Sequence, residues 1–185
     1  MKKIQKGFTL IELMIVIAII GVLASVISMN GFSLFRDAQI DSAITAQSSM
    51  KNAVTSYVFK NKTLPATEAA LITGSFIDGS IVNSIKLGTS STVAFNVVGN
   101  VAGEASGGNG YDLDGDGTVD TTASDTVVEI TINGASAKDA REISLALDGA
   151  ANTPAINLAD TKGRVEYPVI AAGATGIVKM YIDRN

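Results

Sequence analysis

The first third of the chain is dominated by one long apolar segment. From Phe8 to Ile27 the sequence offers 20 residues whose only formal charge is Glu12. At about 1.5 Å of rise per residue, a helix of this length spans roughly 30 Å, which is the thickness of a bilayer's hydrocarbon core. The pattern therefore predicts a helix that crosses a membrane.

Glu12 is the anomaly in this segment, because an acidic side chain inside a membrane-spanning helix costs about 2.5–3.5 kcal/mol. Such a carboxylate usually has a partner and a function. Cleavage after Gly7 would place the new α-amino group of Phe8 four residues before Glu12, one helical turn away. The spacing indicates a charge pair whose cation exists only after cleavage, in the same chain or in a neighbouring one.

The N-terminus as a whole, KKIQKG followed by FTLIELMIVIAIIGVLA, resembles the class III leader and first helix of type IV pilins and the related pseudopilins. The resemblance rests on the basic leader, the Gly7-Phe8 junction, Glu12 and Gly21 in one register. It implies that a membrane-embedded prepilin peptidase cleaves between Gly7 and Phe8 and methylates the new amino terminus. It also implies that Glu12 pairs with the Phe8 amine of an adjacent subunit when an inner-membrane platform assembles identical subunits into a helical filament.

Two simpler interpretations of the same segment remain open. A secretory signal peptide also has a basic start and an apolar core, and small residues within 24–28 provide a cleavage site for it. A plain single-span anchor accounts for the length of the apolar run but for neither Gly7 nor Glu12. The first residue of the mature protein separates these cases. Methylated Phe8 supports the pilin interpretation, and a start after the apolar run or at Met1 contradicts it.

Residues 36–60 have a helical pattern of another kind. Their apolar or amide side chains recur at steps of three and four, as in an amphipathic helix with one covered face: Ile40, Ile44, Gln47, Met50, Val54, Tyr57 and Val58. One helix from Phe8 to about Lys60 is therefore predicted, with its second half packed on a globular head. The alternative is two helices hinged at Asn30-Gly31, because a glycine inside a helix costs about 1 kcal/mol relative to alanine.

Beyond Lys60 the chain breaks into short segments that are typical of a mixed head domain. A helix is predicted at 67–72 with Thr67 as its cap, and another at 136–147 with Ser136 and Asp139 at capping-box spacing. Runs rich in Val, Ile, Thr and Tyr, separated by Gly, Asn, Asp and Ser, predict antiparallel strands at 84–87, 92–98, 126–132, 164–169 and 177–182.

The expected fold class is α+β, with a long N-terminal α-helix packed on an antiparallel β-sheet head, which is also the pilin fold that the resemblance implies. Three parts are expected along the chain. They are a leader peptide at residues 1–7, a transmembrane and filament-core helix half at 8–34, and a globular head at 35–185 that contains an acidic loop at 112–125.

The composition excludes several kinds of active site. The chain contains no His, Cys or Trp, which rules out Ser-His-Asp and Cys-His nucleophiles, histidine-based metalloprotease sites and thiolate zinc sites. An enzyme is therefore not expected. Without the three leader lysines, 11 basic residues stand against 18 acidic ones, and the net charge of about −7 gives no electrostatic footprint for nucleic acid. Many type IV pilins close a C-terminal loop with a disulfide, so this head must be held together in another way.

The segment YDLDGDGTVDTTASD, residues 111–125, has the spacing of an EF-hand type of calcium-binding loop. Carboxylates occupy positions 1, 3, 5 and 9, and a glycine occupies the sharp turn at position 6. Ala123 stands where a bidentate glutamate is normally found, and Asp125 or Glu129 could supply the missing oxygens. The alternative is a solvated acidic turn. The expected ligands of a structural Ca²⁺ are Asp112, Asp114, Asp116, Thr118, Asp120 and Asp125.

The residues and the resemblance together predict a structural subunit of a type IV pilus. Such a subunit assembles from the bacterial inner membrane into an extracellular filament used in adhesion, twitching motility or related surface functions. A pseudopilin of a type II secretion system has the same kind of leader and stays an alternative. A membrane-anchored, calcium-dependent binding module is a third possibility, which an uncleaved monomer would favour.

Overall fold

The computed structural model describes residues 8–88, 90–99, 111, 113, 118, 120–121, 125–161 and 163–182, with the backbone alone for residues 26–33. The chain divides into two compact units, one ending at Asp37 and one beginning at Ala38. Gly7 of the predicted cleavage junction lies outside the described residues. The same holds for three predicted calcium ligands, Asp112, Asp114 and Asp116.

One helix, α1, runs from Leu10 to Asn61 and comprises 52 residues. The prediction of a continuous helix is confirmed, and the alternative of two helices hinged at Asn30-Gly31 is wrong. Every described side chain from Leu10 to residue 25 is exposed, so the apolar surface of this part of α1 extends around its whole circumference. Within the part of the chain that the structure describes, no helix has both the length and the apolar character that crossing a membrane requires.

The second half of α1 buries the predicted stripe against the head. Ile40, Met50 and Val54 are at most 5% exposed, and each such side chain contributes about 1.5–3 kcal/mol by its burial. Gln47 is a polar exception on this buried face. Its amide donates to the Tyr181 carbonyl at 3.4 Å, so the position that interrupts the apolar stripe is hydrogen-bonded to the strand it packs on.

The head is built on one antiparallel sheet, which confirms the α+β fold class. Its strands lie in the order β1-β2-β4-β3 and are β1 (Thr92–Gly99), β2 (Thr126–Ser136), β3 (Val165–Glu166) and β4 (Thr175–Ile182). Because successive side chains of a strand point to opposite faces, Ile130 and Met180 pack in the main core with α1. Val127 and Tyr181 belong to a smaller cluster on the other face.

Two short helices lie close to their predicted positions. Helix α3 (Ala137–Leu147) begins with the predicted capping box, in which Asp139 N donates to Ser136 Oγ at 3.2 Å and Ser136 N donates to the Asp139 carboxylate at 3.1 Å. Helix α2 (Glu68–Thr73) has Thr67 at its N-cap, but that side chain makes no capping hydrogen bond. The prediction of α2 is thus confirmed and the capping role of Thr67 is wrong.

Two of the five strand predictions differ from the structure, one entirely and one in its length. Residues 84–87 are not a strand, because the chain forms a 3₁₀ turn at Val82–Ser84 whose first N–H donates to Glu68 Oε1 at 2.9 Å. Of residues 164–169, only Val165–Glu166 joins the sheet as a strand. The N–H of Arg164 instead donates to the Asp148 carboxylate at 2.8 Å.

Buried polar side chains tie the segment 148–164 to α3 and β3. The Asp148 side chain is fully buried and accepts hydrogen bonds from Arg164 N, from Val165 N at 3.0 Å and from Arg164 Nε at 3.3 Å. Further along, Ser144 Oγ donates to Asp160 Oδ2 at 2.7 Å, and both residues are buried. These bonds connect the end of α3 with the segment that leads into β3.

Candidate functional site

The first turn of α1 contains a second capping box. Thr9 N and Thr9 Oγ1 both donate to Glu12 Oε2 at 2.9 Å, and Glu12 N donates back to Thr9 Oγ1 at 3.3 Å. The Glu12 carboxylate therefore satisfies a backbone donor at the start of the helix. Its negative charge also lies where the helix dipole favours an anion.

Sequence reasoning missed this role of Glu12, although the signal is present. Thr9 and Glu12 have the T-x-x-E spacing of a capping box, the same spacing that identified the start of α3. Phe8, the residue before the cap, is 93% exposed and precedes the first helical residue, Leu10. The structure thus places Glu12 one turn from the Phe8 backbone and already bonded to Thr9.

The acidic loop is closed at its base by three short hydrogen bonds. Tyr111 N donates to Thr121 Oγ1 at 2.6 Å, and Asp120 N donates to the Tyr111 carbonyl at 2.8 Å. Leu113 N donates to Asp120 Oδ2 at 2.7 Å. Of the predicted calcium ligands, the structure therefore places Asp120 at the base of the loop, where its carboxylate is bonded to the backbone of Leu113 on the other side of the loop.

The base of the loop rests on the sheet face opposite α1. Tyr111 and Leu113 are 1% and 6% exposed, and they pack with Val127 and Tyr181. The rings of Tyr111 and Tyr181 have centroids 4.5 Å apart and an interplanar angle of 52°. This aromatic contact fixes the Tyr111 end of the loop on the sheet, a rigid element of the kind that a precise ligand site requires.

Glu129, one of the two residues that the sequence offers in place of the missing glutamate, is engaged elsewhere. Its carboxylate accepts from Thr131 Oγ1 at 2.5 Å and from Asn96 Nδ2 at 3.3 Å, and Lys179 Nζ lies 3.5 Å away. Asp125 is half-buried at the start of β2, and Thr118 and Asp120 are exposed. Among the described residues, no group of three acidic side chains is arranged to hold a metal ion.

A second carboxylate is buried on the same face beside Glu129. Glu166 is 8% exposed, and Tyr181 Oη donates to its Oε2 at 2.8 Å. Burial and the nearby Glu166 charge raise the pKa of Tyr181 above its usual value. Sequence reasoning missed this cluster, because Glu166 and Tyr181 meet only through the pairing of β3 with β4.

Raising the pH above 10 should destabilise the head. Burial raises the pKa of Tyr167 to about 12, and its hydroxyl has no hydrogen-bond partner among the described residues. Both Tyr167 and Tyr181 keep their protons to a higher pH in the folded chain than in the unfolded chain. The contribution of Tyr167 is therefore complete below pH 10, the usual tyrosine value, and is lost as the pH rises through about 12, while that of Tyr181 also begins to fall above pH 10.

The expected effect is a fall in the folding equilibrium constant of up to about tenfold per pH unit for each tyrosine. Urea unfolding of the full-length protein in detergent, followed by near-ultraviolet circular dichroism between pH 8 and 12, measures it. The variant Tyr167→Phe should show a shallower slope above pH 10 than the wild type. Equal slopes for the two proteins would contradict the assignment.

The chain is similar to fimbrial proteins and type IV pilins. A family model described as the prokaryotic N-terminal methylation motif matches residues 2–28. A fimbrial protein of Neisseria meningitidis serogroup B is 39% identical over 109 residues, which is 58% of this chain and 64% of the relative. The type IV major pilin protein PilE of Neisseria gonorrhoeae is 42% identical over 89 residues, covering 47% and 53%.

A more distant relative is the type IV major fimbrial protein FimA of Dichelobacter nodosus, 34% identical over 94 residues, which is 51% of this chain and 58% of the relative. The chain spans roughly three fifths of the length of the fimbrial relatives it matches. No solved structure matches it. The resemblance to type IV pilins that the N-terminal residues indicate is confirmed by both the motif and the relatives.

Proposed function

We propose that this chain is a structural subunit of a type IV pilus and performs no reaction of its own. The observation that carries the proposal is the match of residues 2–28 to the N-terminal methylation motif, because this range contains the Gly7-Phe8 junction and Glu12. The relatives support it, since their names describe fimbrial proteins and major pilins. These names favour a pilus subunit over a type II secretion pseudopilin.

Maturation would proceed in the inner membrane. A prepilin peptidase cleaves between Gly7 and Phe8 and methylates the Phe8 amine, and an assembly platform then adds the subunit to the filament. The described part of α1 fits this sequence of events, because its side chains from Leu10 to Leu23 expose apolar surface on all sides. A helix that is apolar all round needs a surrounding of lipid or of other helices.

Assembly would move this apolar surface from lipid into a bundle of identical helices. Because one apolar environment replaces another, the net free energy of the transfer is small. Glu12 would set the register by pairing with the Phe8 amine of an adjacent subunit. Its hydrogen bonds to Thr9 hold the carboxylate at the N-terminal end of the helix, on an exposed side chain that a neighbouring subunit can reach.

Two measurements test the proposed function. N-terminal sequencing of the mature protein should begin at methylated Phe8, and electron microscopy should find surface filaments that disappear when the gene is deleted. A mature chain that begins at Met1 or after the apolar run would contradict the proposal. So would cells that keep the same number of filaments without this chain.

We further propose that the acidic loop binds one structural Ca²⁺ through Asp112, Asp114, Asp116, Thr118, Asp120 and Asp125. The closed base at Tyr111 and Thr121 supports the proposal, because it holds the ends of the loop together before any ion binds. Several carboxylates within a few residues repel one another unless a cation neutralises them. The ion would hold the head together where a disulfide is lacking.

Removing calcium should lower the melting temperature of the head. At a few-fold excess of Ca²⁺ over its dissociation constant, binding to the folded state alone stabilises it by about 1 kcal/mol. Adding a chelator to full-length protein in detergent should therefore lower the melting temperature by roughly 2–4 °C, measured by near-ultraviolet circular dichroism.

The variants Asp112→Ala and Asp116→Ala should lose this response, while Asp78→Ala, an exposed aspartate of the same head, should keep it. Identical melting curves of the wild type with calcium and with the chelator would contradict the proposed site. Such a result would leave the pilus proposal intact, because that proposal rests on the N-terminus.

A further inference from the structure

The head contains an open groove of about 500 Å³ between the end of α1 and the turn that follows α2. Its walls combine two aromatic rings with polar side chains, which is the usual composition of a small-molecule site. The residues that determine its chemistry are Tyr57, Lys60, Asn61, Thr67, Thr73 and Phe76.

The aromatic wall of the groove is held in a defined geometry. Tyr57 meets Phe76 edge to face, with ring centroids 5.3 Å apart and an interplanar angle of 62°. Lys60 Nζ lies 5.3 Å from the centre of the Phe76 ring, within the range of a cation–π interaction. Gly74 makes room for this ring, because a Cβ at that position would lie 2.5 Å from Phe76 Cε2.

The backbone on both sides of the groove turns sharply at the end of a helix. Lys62 and Ser75 have φ angles of 61° and 59°, a left-handed conformation that residues other than glycine adopt infrequently. Hydrogen bonds from Lys62 N to the Val58 carbonyl at 2.8 Å and from Ser75 N to the Ile72 carbonyl at 3.0 Å hold the two turns. Both residues follow the last turn of a helix, where a left-handed residue is the usual cap, and they fix the directions in which the chain leaves α1 and α2.

The polar groups of the groove indicate the class of ligand. None of its lining residues is acidic, and Lys60 supplies one positive charge in a chain whose net charge is −4. Thr67 offers its hydroxyl at the rim, since it makes no capping bond to α2. Thr73 adds a second hydroxyl, and Asn61 adds an amide that donates to the Tyr57 carbonyl at 3.1 Å.

We propose that this groove binds an acidic sugar, meaning a pyranose ring that carries one carboxylate, at the end of an oligosaccharide. The carboxylate would lie beside Lys60, the apolar C–H face of the ring would pack on the aromatic wall, and the ring hydroxyls would bond to Thr67, Thr73 and Asn61. A volume of about 500 Å³ accommodates a sugar residue with part of its neighbour, and the open side lets an oligosaccharide chain leave the groove.

The experiment compares two probes that differ at one carbon, D-glucuronate and D-glucose. Saturation-transfer NMR on the full-length protein in detergent micelles measures the binding of each. Glucuronate should give a saturable signal at least fivefold stronger than that of glucose at the same concentration. Lys60→Gln should reduce the glucuronate signal to the level of glucose, and Thr73→Val should weaken both signals.

Lys138→Gln provides the matched control, because it removes an exposed positive charge of α3 outside the groove and should leave binding unchanged. Three results would overturn the proposal: equal signals for the two sugars, an equal loss in Lys138→Gln, or displacement of glucuronate by an equal concentration of acetate. Both lysine variants change exposed side chains, and their near-ultraviolet spectra should match the wild type. The micellar protein need not assemble, so the outcome is independent of the pilus proposal.

Discussion

Replacing Glu12 by alanine should reduce the number of surface filaments at least tenfold while cleavage after Gly7 continues. The carboxylate is the only formal charge between Phe8 and Ile27, so no other side chain of this segment can pair with the new amine of a neighbouring subunit. Electron microscopy counts the filaments, and N-terminal sequencing of the membrane fraction measures cleavage. A Glu12→Ala protein that is cleaved and assembles normally would contradict the proposed role.

The capping box at the start of α1 allows charge and helix capping to be separated. Glutamine also serves at the last position of a capping box, so Glu12→Gln keeps the hydrogen bonds to Thr9 and removes the charge. Thr9→Ala removes the reciprocal cap and keeps the charge. If the charge pair governs assembly, Glu12→Gln should fail as Glu12→Ala does, while Thr9→Ala still forms filaments. If instead Glu12→Gln forms filaments and Thr9→Ala does not, the loss of filaments is due to the helix cap and not to the charge.

Replacing Asp148 by alanine should destabilise the head by about 2–4 kcal/mol, because two buried backbone N–H groups and the Arg164 guanidinium lose their acceptor. In a head of this size that corresponds to a fall in melting temperature of roughly 10 °C. Thermal unfolding of the full-length protein in detergent measures it. Asp78→Ala, at an exposed position, should shift the melting temperature by less than about 2 °C.

Replacing Gly163 by alanine should lower the stability of the head by a similar amount, although the Asp148 carboxylate itself is kept. Gly163 has a φ of +87°, and a Cβ there would lie 2.5 Å from Asp148 Cγ. Because the Asp148 side chain is held by its hydrogen bonds, it cannot move away without breaking them. Gly163→Ala should therefore destabilise the head as Asp148→Ala does, and a melting temperature equal to the wild type in both variants would contradict this account.

The Asp148 carboxyl also gives a pH signature. Burial raises its pKa above the usual value of 3.8, against the opposing effect of the bonds from Arg164. The folded state therefore holds this proton more tightly than the unfolded state. The part of the stability that comes from this proton is complete below pH 3.8 and is lost as the pH rises through the raised pKa, whereas the hydrogen bonds that the carboxylate accepts remain. The free energy of unfolding should be measured for the wild type and for Asp148→Asn. The difference between them, wild type minus variant, should fall as the pH rises from 3.8 through the raised pKa.

Local signals in the sequence were sufficient for the helices but not for all strands. The buried stripe of α1 follows from its period, and the start of α3 follows from Ser136 and Asp139, because in both cases the interacting residues are a few positions apart. The failed strand at residues 84–87 shows the limit. Glu68 accepts a hydrogen bond from the Val82 N–H, 14 residues away, and the alternating polar and apolar residues at 84–87 give no indication of that bond.

The candidate sites also combine features that the sequence shows with features that only the fold creates. The spacing of the acidic loop and the position of Glu12 are visible in the chain, whereas the tilted contact of the Tyr111 and Tyr181 rings and the hydrogen bonds of Glu129 depend on the sheet. The groove beside Phe76 is also a product of tertiary structure, since Tyr57 and Lys60 come from α1 and Thr67 and Thr73 from the α2 region. Such arrangements require the fold itself.

The hydrogen bonds of Asp148, Ser144 and Asp160 affect the cellular compartments in which the head can fold. A disulfide must be formed by an oxidant and is broken by thiol reductants. Hydrogen bonds to buried carboxylates require neither enzyme nor oxidant, and no cysteine is available to be reduced or mispaired. A subunit stabilised in this way keeps the segment 148–164 in place in reducing surroundings, and these bonds form whatever the redox state of the compartment.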